Sequence, residues 1–446
     1  MNRSEIVFKV LGMRYGFDLQ KMVKFVNDNQ YWSLDQIEAY QLKQLQKIIN
    51  HAYHKVPYYN KNMKALGMLP EDIKSLQDIL NFPVIDKQTV LENVNDFMSQ
   101  DFSSHRPMER STGGTTGIPF KYYNDTYSWG LNWATKIRAF TWGGYHLGKD
   151  RIAILKGGSM YNQGRMDLKS KAWRWLQKNY SFNIMNMTDV SMSLYAKDIA
   201  DRKIEYIRGY PTAISSFAQW VQKHKINLKM KRIFTTAEML LPHQRALIQE
   251  VFQCKIIDTY GCGDGMGGAS QCKLSQKYHI NVETSLMEIL DANLKDAAKP
   301  GQIGEIVLTS LHDYAMPFIR YTPGDQAILS SSSCSCDIKL PTLDKIIGRT
   351  SDVFHLPNGR TINGLSIPLE SWTDKVSKFQ IIHEKESLIV VKLIVKDTYS
   401  NIDEKAILDI MNFNAGEGID IEVHVVDDIP PTKAGKHKYV ISKVNK

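Results

Sequence analysis

The chain has 446 residues, 43% of them hydrophobic and 23% charged, a composition that excludes a disordered or fibrous protein and allows two or more domains with buried cores. No apolar run approaches the roughly 20 residues of a membrane span, and the start MNRSEIVFKVLGMRYGF lacks a signal-peptide core and cleavage site, so a cytoplasmic protein with no transmembrane segment is expected. The formal net charge of +9 comes from lysines scattered over the whole length, without the basic block or aromatic-interleaved stripe of a nucleic-acid binder, so nucleic acid is not an expected partner.

In chain order, the predicted elements begin with a mostly helical segment over residues 1–105. Ile37, Tyr40, Leu42, Leu45, Ile48 and Ile49 recur at helical spacing between Asp35 and Ala52, and the proline of HKVPYYNKNM ends that helix. Short helices punctuated by Pro70 and Pro83 follow. Residues 110–120, RSTGGTTGIPF, have almost no apolar surface. Gly113, Gly114 and Gly117 permit positive φ and close backbone approach, and Ser111, Thr112, Thr115 and Thr116 add hydroxyl donors, which suits a polyphosphate. A flexible Gly/Thr surface turn has the same composition. A Walker loop is excluded, because Ile118 and Pro119 follow Gly117 where Lys-Ser/Thr is required.

Residues 121–145, KYYNDTYSWGLNWATKIRAFTWGGY, read as a buried aromatic helix closing at Gly143 and Gly144. A short strand in RIAILKGG comes next. IEYIRGY, RIFTTAE and KIIDTYG then alternate with helices in the rhythm of a parallel sheet, whose strands present ligands at their carboxyl ends. From about residue 353 the pattern is that of a small α+β unit: two strands joined at KESL, the helix NIDEKAILDIMNF, and the strand DIEVHVVDDI.

All five cysteines fall between residues 254 and 336, which points to a local metal site rather than a disulfide framework. Cys272 and His279 stand as C-x6-H, and Cys334 and Cys336 as C-x-C. If the fold joins the two pairs, they make a closed, structural zinc site of three thiolates and one imidazole; reduced, unliganded thiols are the alternative. Cys254 and Cys262 read as buried thiols.

Several segments, in a fixed order, resemble the adenylate-forming enzymes (acyl-CoA synthetases, luciferases and peptide-synthetase adenylation domains). RSTGGTTGIPF is similar to their phosphate loop T-S-G-T-T-G-x-P-K, with Gly113 in place of the serine and Phe120 in place of the lysine; the second change resembles the phenylacetate-CoA ligase-like branch. DTYGCGDGMGG resembles Y-G-x-T-E. By that resemblance Asp258, Tyr260 and Gly261 belong to the nucleotide site with Tyr260 stacking on adenine, Gly263 stands where a threonine touches the α-phosphate, and Asp264 stands where an acidic residue holds magnesium. The preceding TTAE resembles the adenine-side turn and implicates Ala237 and Glu238. FIRYTPGDQA resembles R-Y-x-T-G-D, which gives Asp325 the ribose hydroxyls. KIIGRTSDVF resembles the hinge motif G-R-x-x-D, with Arg349 toward ribose or phosphate and Asp352 as pivot. In DDIPPTKAGKHKYVIS the pattern P-x-T-x-x-G-K makes Lys436 the lysine that neutralises charge on the α-phosphate and substrate carboxylate.

The resemblance implies an α/β and α+β architecture: a large N-terminal adenylate-forming domain (1–350) with mixed sheets flanked by helices, and a small C-terminal α+β lid (353–446). It implies ATP-dependent activation of a small-molecule carboxylate through an acyl-adenylate, with ATP/AMP, Mg2+ and structural Zn2+ as cofactors. The acyl acceptor is coenzyme A or, as in capsular polysaccharide relatives, a sugar or carrier; a nucleotide-binding protein that has lost adenylation is the alternative. Trp129, Trp133 and Trp142 either pack in the core or line the acyl pocket with the RGYP turn at 208–211. Oligomeric state and the identity of the acid are not legible.

Overall fold

The computed structural model describes residues 3–112, 120–156, 168–184, 187–349, 353–358, 361–363, 375–431 and 437–444. Its N-terminal part is helical: α1 (Arg3–Tyr15), α2 (Leu19–Asn29), α3 (Leu34–Lys55), α4 (Pro57–Ala65) and α5 (Lys87–Glu92). Helix α3 starts at a reciprocal cap, in which the Ser33 hydroxyl accepts from Gln36 N and the Gln36 side chain accepts from Ser33 N. It stops before Pro57, which opens α4. Leu45, Ile48, Ile49 and Ala52 on one face of α3 share a buried cluster with Phe82, Phe97, Phe318 and Tyr321.

Next comes an antiparallel hairpin of β1 (Pro107–Thr112) and β2 (Phe120–Asp125), in which Arg110 faces Tyr122. Here the structure corrects the expected helix over 121–145. Phe120, Tyr122 and Asn124 are buried while Lys121 is exposed, a period of two that forms a strand, and α6 (Thr126–Trp142) starts only after Asp125. Gly144, at φ +83, turns the chain out of that helix. At the centre of α6, Arg138 is fully buried. It pairs with Glu283 and donates to Val26 O at 2.8 Å and Asn281 Oδ1 at 3.1 Å, fastening the N-terminal helices to the rest.

Strands and helices then alternate as expected: β3 (Ile152–Lys156), α7 (Leu168–Gln177), β4 (Asn179–Asn183), α8 (Asp189–Asp201), β5 (Tyr206–Gly209), α9 (Pro211–Lys223), β6 (Arg232–Thr236), α10 (Pro242–Phe252) and β7 (Ile256–Cys262). Six strands without intervening helices follow: β8 (Gly267–Gln271), β9 (Tyr278–Ile280), β10 (Ser285–Leu290), β11 (Ile303–Ser310), β12 (Asp325–Leu329) and β13 (Thr342–Arg349). Among the described residues, β3 to β13 form one sheet in the order β10-β11-β12-β13-β9-β8-β7-β6-β5-β3-β4. Pairing is parallel from β4 to β7 and antiparallel beyond it. The fold is therefore mixed α/β, and the parallel half presents its strand ends as a site.

The C-terminal part holds β14 (Val353–His355), β15 (Thr361–Asn363), β16 (Val376–Lys385), β17 (Leu388–Val395), α11 (Asn401–Ala415), β18 (Asp420–Val425) and β19 (Val440–Ser442). β16 and β17 form the expected hairpin, in a sheet of order β18-β17-β16-β19. Ile381, Ile389, Val391 and Leu393 from this sheet pack with Ile407 and Met411 of α11, and Leu241 at the start of α10 joins the same cluster.

Candidate active site

Strand β6 runs into Thr236, Ala237 and Glu238. Ala237 has φ +67, a left-handed conformation that costs roughly 1–3 kcal/mol for a residue with a side chain and persists only where its surroundings hold it. Glu238 supplies that hold. Its Oε2 accepts from the Thr212 hydroxyl at 2.6 Å and from Thr212 N at 3.2 Å, at the start of α9, and its Oε1 accepts from His437 N at 2.9 Å. The His437 ring is buried with Nε2 2.9 Å from Phe379 O, and burial pushes its pKa down to about 4. Lys436, Asp352 and the loop residues Gly113, Gly114, Thr115, Thr116 and Gly117 lie outside the described residues.

On β7, the Tyr260 hydroxyl donates to Asp325 Oδ2 at 2.8 Å. Asp325 opens β12 and stands in register opposite Arg349 of β13. Beside this pair, Asp264 Oδ2 accepts from Tyr321 OH at 2.8 Å, and the Cys262 thiol lies 2.9 Å from Asp264 Oδ1. Burial and then the facing carboxylates push the Tyr260 hydroxyl and the Cys262 thiol well above their ordinary ranges, so both remain protonated donors. A Cβ on Gly261 would meet no atom within 4 Å, which leaves room for a flat ring beside Tyr260. Asp258, earlier on β7, is committed within the sheet: it accepts from Thr235 Oγ1 and, at 2.6 Å, from Tyr278 OH, tying β6 and β9 to β7. Ser111 is exposed at the end of β1, and Thr112 pairs with Phe120 through the backbone.

Gly263 has a steric cause. A Cβ there would sit 2.7 Å from the hydroxyl of Tyr122, far inside any real contact. The side-chain hydroxyl that the sequence lacks at 263 is thus brought to the same place from β2, directly across from Arg110 on β1.

Cys272, His279, Cys334 and Cys336 converge with their ligand atoms all within 4.8 Å of one another. Sγ of Cys334 is 3.6 Å from Sγ of Cys272, and Sγ of Cys336 is 3.3 Å from Nε2 of His279. A tetrahedral zinc with bonds near 2.3 Å to sulfur has edges of roughly 3.8 Å between sulfurs, so the donor set and spacing fit that ion. Nδ1 of His279 lies 3.2 Å from Leu340 O, which fixes the tautomer that turns Nε2 toward the thiols. Trp142 packs edge-on against His279 and donates to Gln30 Oε1 at 2.9 Å, a structural position; Trp129 and Trp133 are half-buried on α6 near Arg110.

A strained turn after β6, a tyrosine–aspartate pair linking β7 to β12, and a carboxylate just past β7 thus stand beside the parallel half of the sheet. Residues 356–443 match the family model described as the CapK C-terminal domain. The chain is 24% identical to a phenylacetate-coenzyme A ligase of Pseudomonas putida over 369 residues, covering 79% of each chain. It is 22% identical to protein CapK of Staphylococcus aureus over 418 residues, covering 91% of this chain and 89% of that one. The structure superposes on 2-hydroxyisobutyryl-CoA ligase in its postadenylation state with R3-HIB-AMP at a TM-score of 0.74 and 19% identity, covering 93% of this chain and 92% of the other. Over most of its length the chain is thus similar to adenylate-forming proteins of the phenylacetate-CoA ligase-like kind.

Tyr122, Thr212 and His437 were not marked by any motif, and Tyr321, although inside FIRYTPGDQA, was given no role. Their contacts reach 57 to 199 residues along the chain, except for Thr212, which reaches 26, and no local pattern announces them.

Proposed function

We propose that the chain joins a small-molecule carboxylate to the AMP moiety of ATP and passes the acyl group to coenzyme A. The carboxylate oxygen attacks the α-phosphorus, the bond to the β-phosphate oxygen breaks, and pyrophosphate leaves. The thiol sulfur then attacks the acyl carbon as AMP departs and the thiol proton passes to solvent. No protein nucleophile is needed; the protein positions the reactants and neutralises charge.

The observation that carries this reading is the convergence of Tyr260, Asp325, Asp264 and Tyr122 past the ends of the parallel strands. Asp325, fixed by Tyr260, has the acceptors for two vicinal ribose hydroxyls. The open face at Gly261 leaves the adenine room to lie against Tyr260. Asp264 keeps lone pairs beyond those that Tyr321 and Cys262 use, which fits Mg2+, an ion that takes one or two carboxylates and completes its shell with phosphate oxygens and water. When bound, that ion draws charge from the departing pyrophosphate. Lys436, one residue before the pinned His437, supplies the cation toward the α-phosphate, and the loop at 113–117 supplies backbone donors for the β- and γ-phosphates. Zn2+ at Cys272, His279, Cys334 and Cys336 is structural, since four protein ligands leave no open position. Substrates such as ATP and coenzyme A place the enzyme in the cytoplasm.

The fold is nearer to one state of this neighbour than to the other. The TM-score is 0.74 on the postadenylation state of 2-hydroxyisobutyryl-CoA ligase and 0.59 on its thioesterification state. The test is ATP–pyrophosphate exchange with magnesium across aryl, hydroxy, amino and fatty acids, followed by coenzyme A addition to the acid that responds. A sugar hydroxyl or amine is the second acceptor to test, from the resemblance to capsular polysaccharide proteins; adenylation without thioester formation would favour it.

A further inference from the structure

Three cations gather around the aromatic face of α6. The Arg110 guanidinium carbon stacks 3.7 Å from the centre of the Trp129 ring. Nζ of Lys136 lies 5.5 Å from the same ring and 5.7 Å from Trp133. Arg208, next to last on β5, has its guanidinium carbon 5.2 Å from the centre of Phe140. Lys136 is close enough to Arg208 and Arg110 that both repel its charge; burial first, and then these two cations, push its pKa down to about 8. Burial likewise lowers Arg208 and Arg110.

What these groups lack is an anion. Among the described residues, only tyrosines favour the charge of Arg208 and Arg110, nothing favours that of Lys136, and Nε of Arg110 is buried with no hydrogen-bond partner. Ring faces offset part of this. Among the described residues these three half-buried cations have no carboxylate to pair with, which is costly, and an incoming anion relieves that cost. The location says where such an anion sits. Arg208 is at the carboxyl end of a parallel strand beside β3 and β6, and Arg110 pairs across the hairpin with Tyr122, whose hydroxyl abuts Gly263 of the nucleotide segment. The cluster therefore borders the place where the proposed reaction puts the acyl chain.

Building on the proposed adenylation, we infer that the acyl pocket takes an acid bearing a second anionic group, which Lys136 and Arg208 receive while its first carboxylate is activated. Trp129, Trp133 and Phe140 enclose the chain or ring between the two charges. A neutral acyl tail leaves the cations unpaired, so the pocket discriminates by charge as well as by shape.

The experiment compares matched pairs that differ only in the distal charge: glutarate with its monomethyl ester, adipate with its monomethyl ester, and homophthalate with phenylacetate. Pyrophosphate exchange gives kcat/KM for each, and calorimetry gives the affinity of the free diacids for the full chain. We expect at least one pair in which the dianion is favoured tenfold or more. Lys136→Met and Arg208→Met should each collapse that ratio toward one and weaken diacid binding, and Lys136→Arg should retain most of it. Three results overturn the inference. In one, exchange runs as well with the neutral partner of every pair. In another, no diacid binds and none exchanges. In the third, the two Met variants raise the KM for ATP while the acid ratio stays intact, which would assign the cations to the triphosphate. Diacid binding that depends on Lys136 without exchange for any acid would sustain the pocket and remove adenylation.

Discussion

Glu238 Oε1 accepts a hydrogen bond from the backbone N–H of His437 at 2.9 Å, while Oε2 of the same carboxylate holds Thr212. One side chain thus joins the turn after β6, the start of α9 and the C-terminal segment that carries Lys436. A carboxylate does this well because it accepts at both oxygens and strengthens each bond with its charge. Glu238→Gln keeps the shape but loses one acceptor and the charge. It should lower the rate of pyrophosphate exchange by about tenfold, a loss near 1.4 kcal/mol, and affect thioester formation from preformed acyl-adenylate much less. Equal loss in both half-reactions would show that Glu238 serves the fold at large.

Tyr122 and Gly263 make a reciprocal pair. Tyr122→Phe removes the hydroxyl and should lower kcat for exchange by about tenfold or more, the effect of one donor to developing phosphate charge. Gly263→Thr alone should clash with that hydroxyl, which a Cβ would approach to 2.7 Å. Combined with Tyr122→Ala, the same threonine should recover part of the lost rate. The kinetics of the two single variants and the double variant check this, and additive losses would refute it.

The cysteine cluster predicts one tightly bound zinc per chain. Cys334→Ser should lose most of it and lower the melting temperature, and chelation of the unaltered protein should reproduce the shift. Elemental analysis and thermal unfolding provide the readouts. Protein purified without chelator that contains no metal would dismiss the zinc.

Acid should loosen the protein before it affects exposed carboxylates. The buried imidazoles of His437 and His312 have pKa values lowered from 6.5 to about 4, so the folded state holds them neutral. Their stabilisation is present above pH 6.5 and is lost as pH falls through 6.5 toward 4, at roughly 1.4 kcal/mol per unit for each group that protonates only on unfolding. Burial raises Asp125 to about 7 and Asp313 to about 6, so the folded state gains protons there over the same window and the readout is a difference. Urea unfolding at pH 7 and pH 5 should show a smaller loss, or a larger gain, in His437→Gln than in the unaltered protein, and identical changes in the two would contradict it.

Arg138 and Glu283 are both fully buried, so removing either partner strands a charge. Glu283→Gln should cost about 3–5 kcal/mol of stability. Replacing both by apolar residues of similar volume should cost less, as measured by denaturant midpoints.

Most of the frame was readable from sequence because its causes are local. The strand–helix rhythm from β3 to β7 and the hairpin at KESL follow from periodicity and turn residues. The strand Phe120–Asp125 was hidden, since a run of aromatic residues satisfies both a helical and an alternating pattern until its partner β1 is known. Cys272, His279, Cys334 and Cys336 were legible by residue type, but only the pairing of β9 with β13 and the Leu340 contact bring them together. Glu238 stood out through the resemblance of TTAE to an adenine-side turn, whereas its bonds to Thr212 and His437 were not legible. Lys136 and Arg208 were invisible as a pair: a lone lysine or arginine in a sequence reads as solvated, and only the fold shows that each is half-buried with no acid beside it among the described residues.

The central claim is that a carboxylate oxygen attacks the α-phosphorus of ATP. The most direct measurement is a single-turnover reaction with the responsive acid labelled with oxygen-18 in its carboxylate, quenched after coenzyme A addition and read by mass spectrometry. Adenylation should leave one labelled oxygen in AMP and none in pyrophosphate. Label in inorganic phosphate with formation of ADP, or AMP without label, would contradict it.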